Sequence, residues 1–143
     1  MSEMSMFFKK NKKQKENTFF AATQSLCDEN GKPLMWEIKP VSTKENNEIQ
    51  DSCTTDVPVA GKPNRFRPRL NMPKYIGKLM AASIVCPDLL NAELQDDYQA
   101  NTPEGLLEEM LDSPGEYNEL AAFIQRYNGF DVSMENLKGE AKN

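Results

Sequence analysis

The sequence predicts an α+β domain, mainly α: an N-terminal β-hairpin or three-stranded antiparallel sheet, followed by a bundle of four or five short helices. Asn30-Gly31 separates two β-compatible runs, and Asn-Gly suits the positive φ angles of a hairpin turn. From Pro73 onward, apolar residues recur at helical spacing in segments opened by capping residues or prolines. The 143 residues fit one domain.

Residues 1–17 are polar and carry Lys9, Lys10, Lys12, Lys13 and Lys15, a composition with little to bury that predicts a basic flexible arm. Residues 18–143 form the domain, divided into a hairpin or sheet part (18–72), a helical part (73–138) and a polar tail (139–143). Two strands are expected, about Thr18–Leu26 and Pro33–Pro40. In the second, Leu34, Trp36 and Ile38 alternate with Met35, Glu37 and Lys39, so one face is apolar. Ser42 and Glu45 read as a capping box opening a short helix to about Cys53, with Ile49 and Cys53 its inward positions. Phe66 and Leu70 allow residues 64–71 to be a third, edge strand, because Pro68 lacks the amide a central strand needs; loop is the alternative.

From Pro73, Ile76, Leu79, Met80 and Ser83 fall on one helical face. A second helix is expected to restart at Pro87, since proline suits a first helical position. Thr102 and Pro103 open a third, with Leu106, Leu107, Met110 and Leu111 as its buried stripe. Ser113, Pro114 and Glu116 read as another N-cap, first position and capping box. They start a helix whose stripe is Tyr117, Leu120, Ala121 and Ile124, and Asn128-Gly129 supplies a left-handed stop. A last short helix is expected at about Met134–Lys138 behind Ser133.

The charge is polarised. Net charge is −5, yet residues 1–87 hold 14 Lys/Arg against 9 Asp/Glu, and residues 88–143 hold 3 against 13. No acid lies between Val57 and Pro87. Two surfaces of opposite sign suit a binding protein. Histidine is absent, which removes the commonest general base and metal ligand. Asp96-Asp97 and Glu108-Glu109 are adjacent on helices and point in different directions, so they read as solvated surface. Cys27, Cys53 and Cys86 have neither a disulfide framework nor zinc spacing and read as reduced thiols. No catalytic, cofactor-binding or metal residues are expected. No apolar run is long enough for a membrane span, and the start is unlike a secretory signal, so a soluble protein kept in its cell is expected.

Candidate partner-binding residues are Leu107, Met110, Leu111, Phe123 and Tyr127 among the apolar side chains, and Arg65, Arg67 and Arg69 among the basic ones. Phe123 lies off the buried stripe, so partial exposure is expected, with Leu107 and Tyr127 beside it at a partner groove. The basic stretches 9–15 and 62–78, with Phe66 as a stacking ring, also suit a nucleic-acid-binding accessory protein; the acidic C-terminal half opposes a polyanion.

The order of the segments DENGKPLMWEIKPVSTKENNEI, KYIGKLMAASIVCPDLLNAELQDDY and TPEGLLEEMLDSPGEYNELAAFIQRYNGFD, with the closing EAKN, resembles the XkdN-like phage tail assembly chaperones. The likeness runs over about residues 18–143 and leaves the lysine arm unmatched. It implies a non-enzymatic protein of phages, prophages or tail-like particles. Such a protein binds the aggregation-prone tape measure protein in the bacterial host cytoplasm while the tail tube forms, and is absent from the finished particle. The tail tube protein is a further partner it suggests, and self-association is compatible with it.

Overall fold

The structure, a computed structural model, describes residues 3–130; the helix expected at about Met134–Lys138 and the polar tail lie outside the described residues. Two 3-10 turns, Glu3–Phe7 and Lys9–Asn11, come first. Then follow β1 (Thr18–Phe20), β2 (Trp36–Ile38), α1 (Thr43–Ser52), β3 (Thr54–Pro58), β4 (Phe66–Leu70), α2 (Met72–Ser83), β5 (Ile84–Cys86), α3 (Ala92–Asp97), α4 (Pro103–Met110) and α5 (Pro114–Tyr127). The fold is α+β and mainly α, with five α-helices among the described residues.

β1 and β2 form the expected hairpin, Thr18 opposite Ile38 and Phe20 opposite Trp36. The strands are shorter than expected, with an isolated Cys27–Pro33 bridge near the turn. At the turn Gly31 alone takes positive φ, +81°. The Gly31 amide donates to the Asp28 carbonyl at 3.0 Å and the Asp28 amide to the Lys32 carbonyl at 2.8 Å. The loop is thus a turn closed by a left-handed glycine, rather than a two-residue turn with both residues left-handed. Trp36 and Ile38 are buried as the alternation requires, but Leu34, short of the strand, is exposed.

The third strand of this sheet is β5, paired antiparallel to β2 on the side away from β1. This corrects the expectation that residues 64–71 supply it. That segment, as β4, pairs with β3 in a separate two-stranded ribbon, Thr54 opposite Leu70 through Pro58 opposite Phe66. β4 is therefore an edge strand, as Pro68 demands, but of a different sheet. Pro87 is corrected as well: it follows β5 through a cis peptide and does not open a helix. α3 begins at Ala92, where the Asn91 side chain accepts the Leu94 amide at 2.9 Å.

Caps decide the other starts. Ser42 and Glu45 form the complete capping box of α1, Asn71 caps α2, and Thr102 caps α4 by accepting the Gly105 amide at 3.0 Å. The second capping box does not form: Ser113 precedes α5 without a side-chain cap bond, and the Glu116 carboxylate, which would reach back to the Ser113 amide, is engaged elsewhere. Its Oε1 accepts from the Thr23 hydroxyl at 2.7 Å and its Oε2 from the Gln24 amide at 2.8 Å. These bonds hold the Glu116 carboxyl below its ordinary pKa, the Thr23 contact contributing most. α5 ends as expected: with Gly129 at φ +86°, its amide reaches the Arg126 carbonyl at 3.0 Å and the Phe130 amide the Gln125 carbonyl at 2.9 Å, the bond pair of a Schellman motif.

The core lies between the three-stranded sheet and the helices. Trp36, Ile38 and Ile84 meet Leu79 and Met80 of α2, Leu106, Leu107 and Met110 of α4, and Leu120 and Ile124 of α5. Asn128 ties the chain leaving β2 to the end of α5, accepting the Val41 amide at 2.7 Å while donating to the Ile124 carbonyl at 2.9 Å.

Candidate functional site

Capping by Asn71 and an early proline start α2 at Met72, which sets Met72, Pro73 and Ile76 beside the junction of α4 and α5. With Leu111, Pro114 and Tyr117 they line an open groove of about 470 Å³, bordered by Glu108, Asp112 and Asn118. Met72 is 47% exposed and Ile76 and Tyr117 are half-buried. Tyr117 crosses α2 at Gly77, its hydroxyl 3.5 Å from where a Cβ there would stand. Burial, and then the charges of Glu108 and Glu104, push its phenol above the ordinary pKa. The groove thus has an apolar floor and an acidic border, a surface matched to an apolar stripe flanked by cations.

A second surface lies at the far end of α5. Phe20 of β1 stacks on Phe123 at 4.4 Å between ring centroids, and Phe123 on Tyr127 at 6.3 Å. Lys15 Nζ sits 4.2 Å from the Tyr127 ring centroid and the Tyr127 hydroxyl donates to the Glu16 carbonyl, so the segment before β1 lies over this strip. Phe123 is half-buried, as its position off the stripe predicts. The structure brings Phe123 and Tyr127 together but not with Leu107, which is 0% exposed; Met110 and Leu111 are buried too. These three are core side chains, and of them only Leu111 touches the groove.

The basic candidates share the β3–β4 ribbon. The register puts Arg67 and Arg69 on one face, with Val57 and Thr55 opposite, and Phe66 and Pro68 on the other. Arg65, Phe66, Arg67 and Arg69 are all exposed. The Asn71 amide donates to the Cys53 carbonyl and the Val59 amide to the Arg65 carbonyl. By alternation, Pro58 and Pro68 then fall in non-hydrogen-bonded pairs with their ring nitrogens toward the outer edges. Both edges are blunted against strand addition, which leaves side chains as the means of contact.

Residues 4–142 match the family described as phage XkdN-like tail assembly chaperone protein. The chain belongs to this family. The match begins before the lysine arm, so the family likeness extends further toward the N-terminus than residue 18. Among relatives of this chaperone, the phage-like element PBSX protein XkdN of Bacillus subtilis strain 168 is 26% identical over 121 residues, 85% of this chain and 80% of that one. The uncharacterized protein YqbN of the same strain is 25% identical with the same coverage. A crystal structure of YqbN shares the fold at a TM-score of 0.76 and 19% identity, covering 92% of this chain and 99% of that one. In the chaperone, no described helix is long and apolar enough to cross a membrane, and no described group of three or more His, Cys, Asp or Glu is placed to hold a metal.

The groove residues Met72, Ile76 and Tyr117 escape sequence reasoning because three elements assemble the site. Ile76 and Tyr117 sit at the margins of their inward stripes, and that marginal position is the one signal that marks them.

Proposed function

We propose that this chain is a non-enzymatic tail assembly chaperone that holds the tape measure protein in the host cytoplasm during tail tube assembly and leaves before the particle is complete. An amphipathic helix of that client, with cations beside its apolar stripe, occupies the groove between α2 and the α4–α5 junction. The observation that carries this assignment is the floor of Met72, Ile76 and Tyr117 beneath Glu108 and Asp112, in a chain of the tail assembly chaperone family. The test is co-expression with the tape measure protein of the same gene cluster, followed by size-exclusion chromatography, and mass spectrometry of purified particles. A soluble co-eluting complex, with this chain missing from particles, is the expected result. An insoluble client with this chain eluting alone refutes the assignment, and finding the chain in particles makes it a structural subunit instead.

Nucleic acid binding through residues 62–78 is the weaker assignment on one specific ground. The stacking ring Phe66 and the cations Arg67 and Arg69 are on opposite faces of the ribbon, whereas a single-strand groove needs rings and cations together.

A further inference from the structure

The β3–β4 ribbon stands off the core. A ribbon laid on the core buries one face, but here Phe66, Arg67, Pro68 and Arg69 of β4 and Thr55, Asp56 and Pro58 of β3 are exposed on both faces. Its tip is built: Gly61 (φ +74°) and Asn64 (φ +62°) are left-handed, and the Lys62 amide donates to the Val59 carbonyl at 3.2 Å and the Arg65 amide to the Lys62 carbonyl at 3.3 Å. The arm therefore presents Lys62, Arg65, Arg67 and Arg69 in a set arrangement.

The opposite pole has the opposite sign. Between residues 88 and 130 the sequence has ten acids and one cation, Arg126. Glu93, Asp96 and Asp97, at i, i+3 and i+4, share one side of α3, and they and Glu108 and Glu109 of α4 are exposed. Among the described residues the one ion pair is Lys39 with Glu45, at 4.0 Å, and none joins the two poles.

We propose that the arm docks on the α3–α4 surface of a second copy of this chain. Each copy carries one arm and one acidic surface, so the contact either closes reciprocally into a dimer or runs head to tail into a chain. Charge complementarity directs the contact, and Pro58 and Pro68 on the two strand edges oppose sheet extension as the alternative. This inference does not rest on the client assignment, because its test needs no tape measure protein and its variants change no residue lining the groove.

Sedimentation velocity of the full chain at about 0.03 M and about 0.5 M salt tests it, because screening shortens the reach of charge over that range. Association at low salt that weakens at least roughly tenfold at high salt is expected, because several exposed charge contacts are screened together. A monomer at low salt, or an association indifferent to salt, overturns the proposal. Two variants carry it further: R65E/R67E/R69E on the arm and D96K/D97K/E109K on the helices, each checked for an unchanged thermal melt. Each alone stays monomeric at low salt, and mixing them restores association, because each repairs the other's reversed pole. If mixing restores nothing, or if wild type associates only when a single-stranded oligonucleotide is added, the arm serves another partner and the proposal fails.

Discussion

Leu107→Ala separates a core residue from a partner-binding one. The sequence makes Leu107 a candidate for both; the structure leaves it 0% exposed among Leu106, Met110 and Leu120. Its lost carbons, at about 0.8 kcal/mol apiece, come to about 2.4 kcal/mol. The cavity left between α4 and its neighbours raises this toward about 4 kcal/mol. At roughly 3 °C per kcal/mol for a chain of this size, Tm falls by about 10 °C. Urea denaturation at constant m-value gives the free energy directly, and pull-down of the tape measure protein, normalised to the folded fraction, gives the binding. The expected pair of results is a large loss of stability with client affinity per folded molecule unchanged. An unchanged Tm with client binding lost means that Leu107 faces the partner, and refutes the packing described for α4.

The helix caps give a paired test by urea denaturation: Thr102→Ala costs about 1 kcal/mol, the usual value of an occupied cap, while Ser113→Ala stays within about 0.5 kcal/mol. Equal costs contradict the absence of a Ser113 cap bond. Ser83 Oγ is buried with no partner among the described residues, so Ser83→Ala is neutral or raises stability by about 1 kcal/mol; a loss of that size shows a bond the structure does not contain. Glu116 has a folded pKa below its ordinary 4.5, so its stabilising contribution is full above about pH 4.5 and disappears as pH falls through the folded value. Thermal melts of wild type and Glu116→Gln therefore differ at pH 7, and the difference shrinks as pH falls below the ordinary value of 4.5; a difference that stays constant as the pH is lowered assigns the effect to shape rather than charge.

The parts legible in the sequence are those decided within a few residues. Ser42 and Glu45 are three apart and nothing distant competes for either, so their box forms as read. Gly129 fixes the end of α5 for the same reason. Ser113 and Glu116 have the same spacing, yet Glu116 reaches Thr23, 93 residues away, a partner no local pattern shows. Pairing choices fail in the same manner. Phe66–Leu70 reads correctly as an edge strand, but its partner is β3, which follows α1 directly after the buried Cys53 and which no local pattern marks as a strand. Pro87 invites a helix start, whereas pairing of Ile84–Cys86 with β2 carries the chain past it to Asn91. The aromatic strip was legible through Phe123, which lies off its stripe. The groove was not, because it exists only where α2 meets the α4–α5 junction.

The central claim, that the groove holds the tape measure protein, is tested most directly by titrating that client with wild type, Met72→Asp and Met72→Asp/Ile76→Asp. Met72 is exposed at the first position of α2, where a negative charge suits the helix dipole, so the single variant keeps its fold. Loss of at least about tenfold in affinity for the single variant and a further loss for the double is predicted, as for truncated apolar anchors at an interface. Wild-type affinity in both variants contradicts the assignment of the groove.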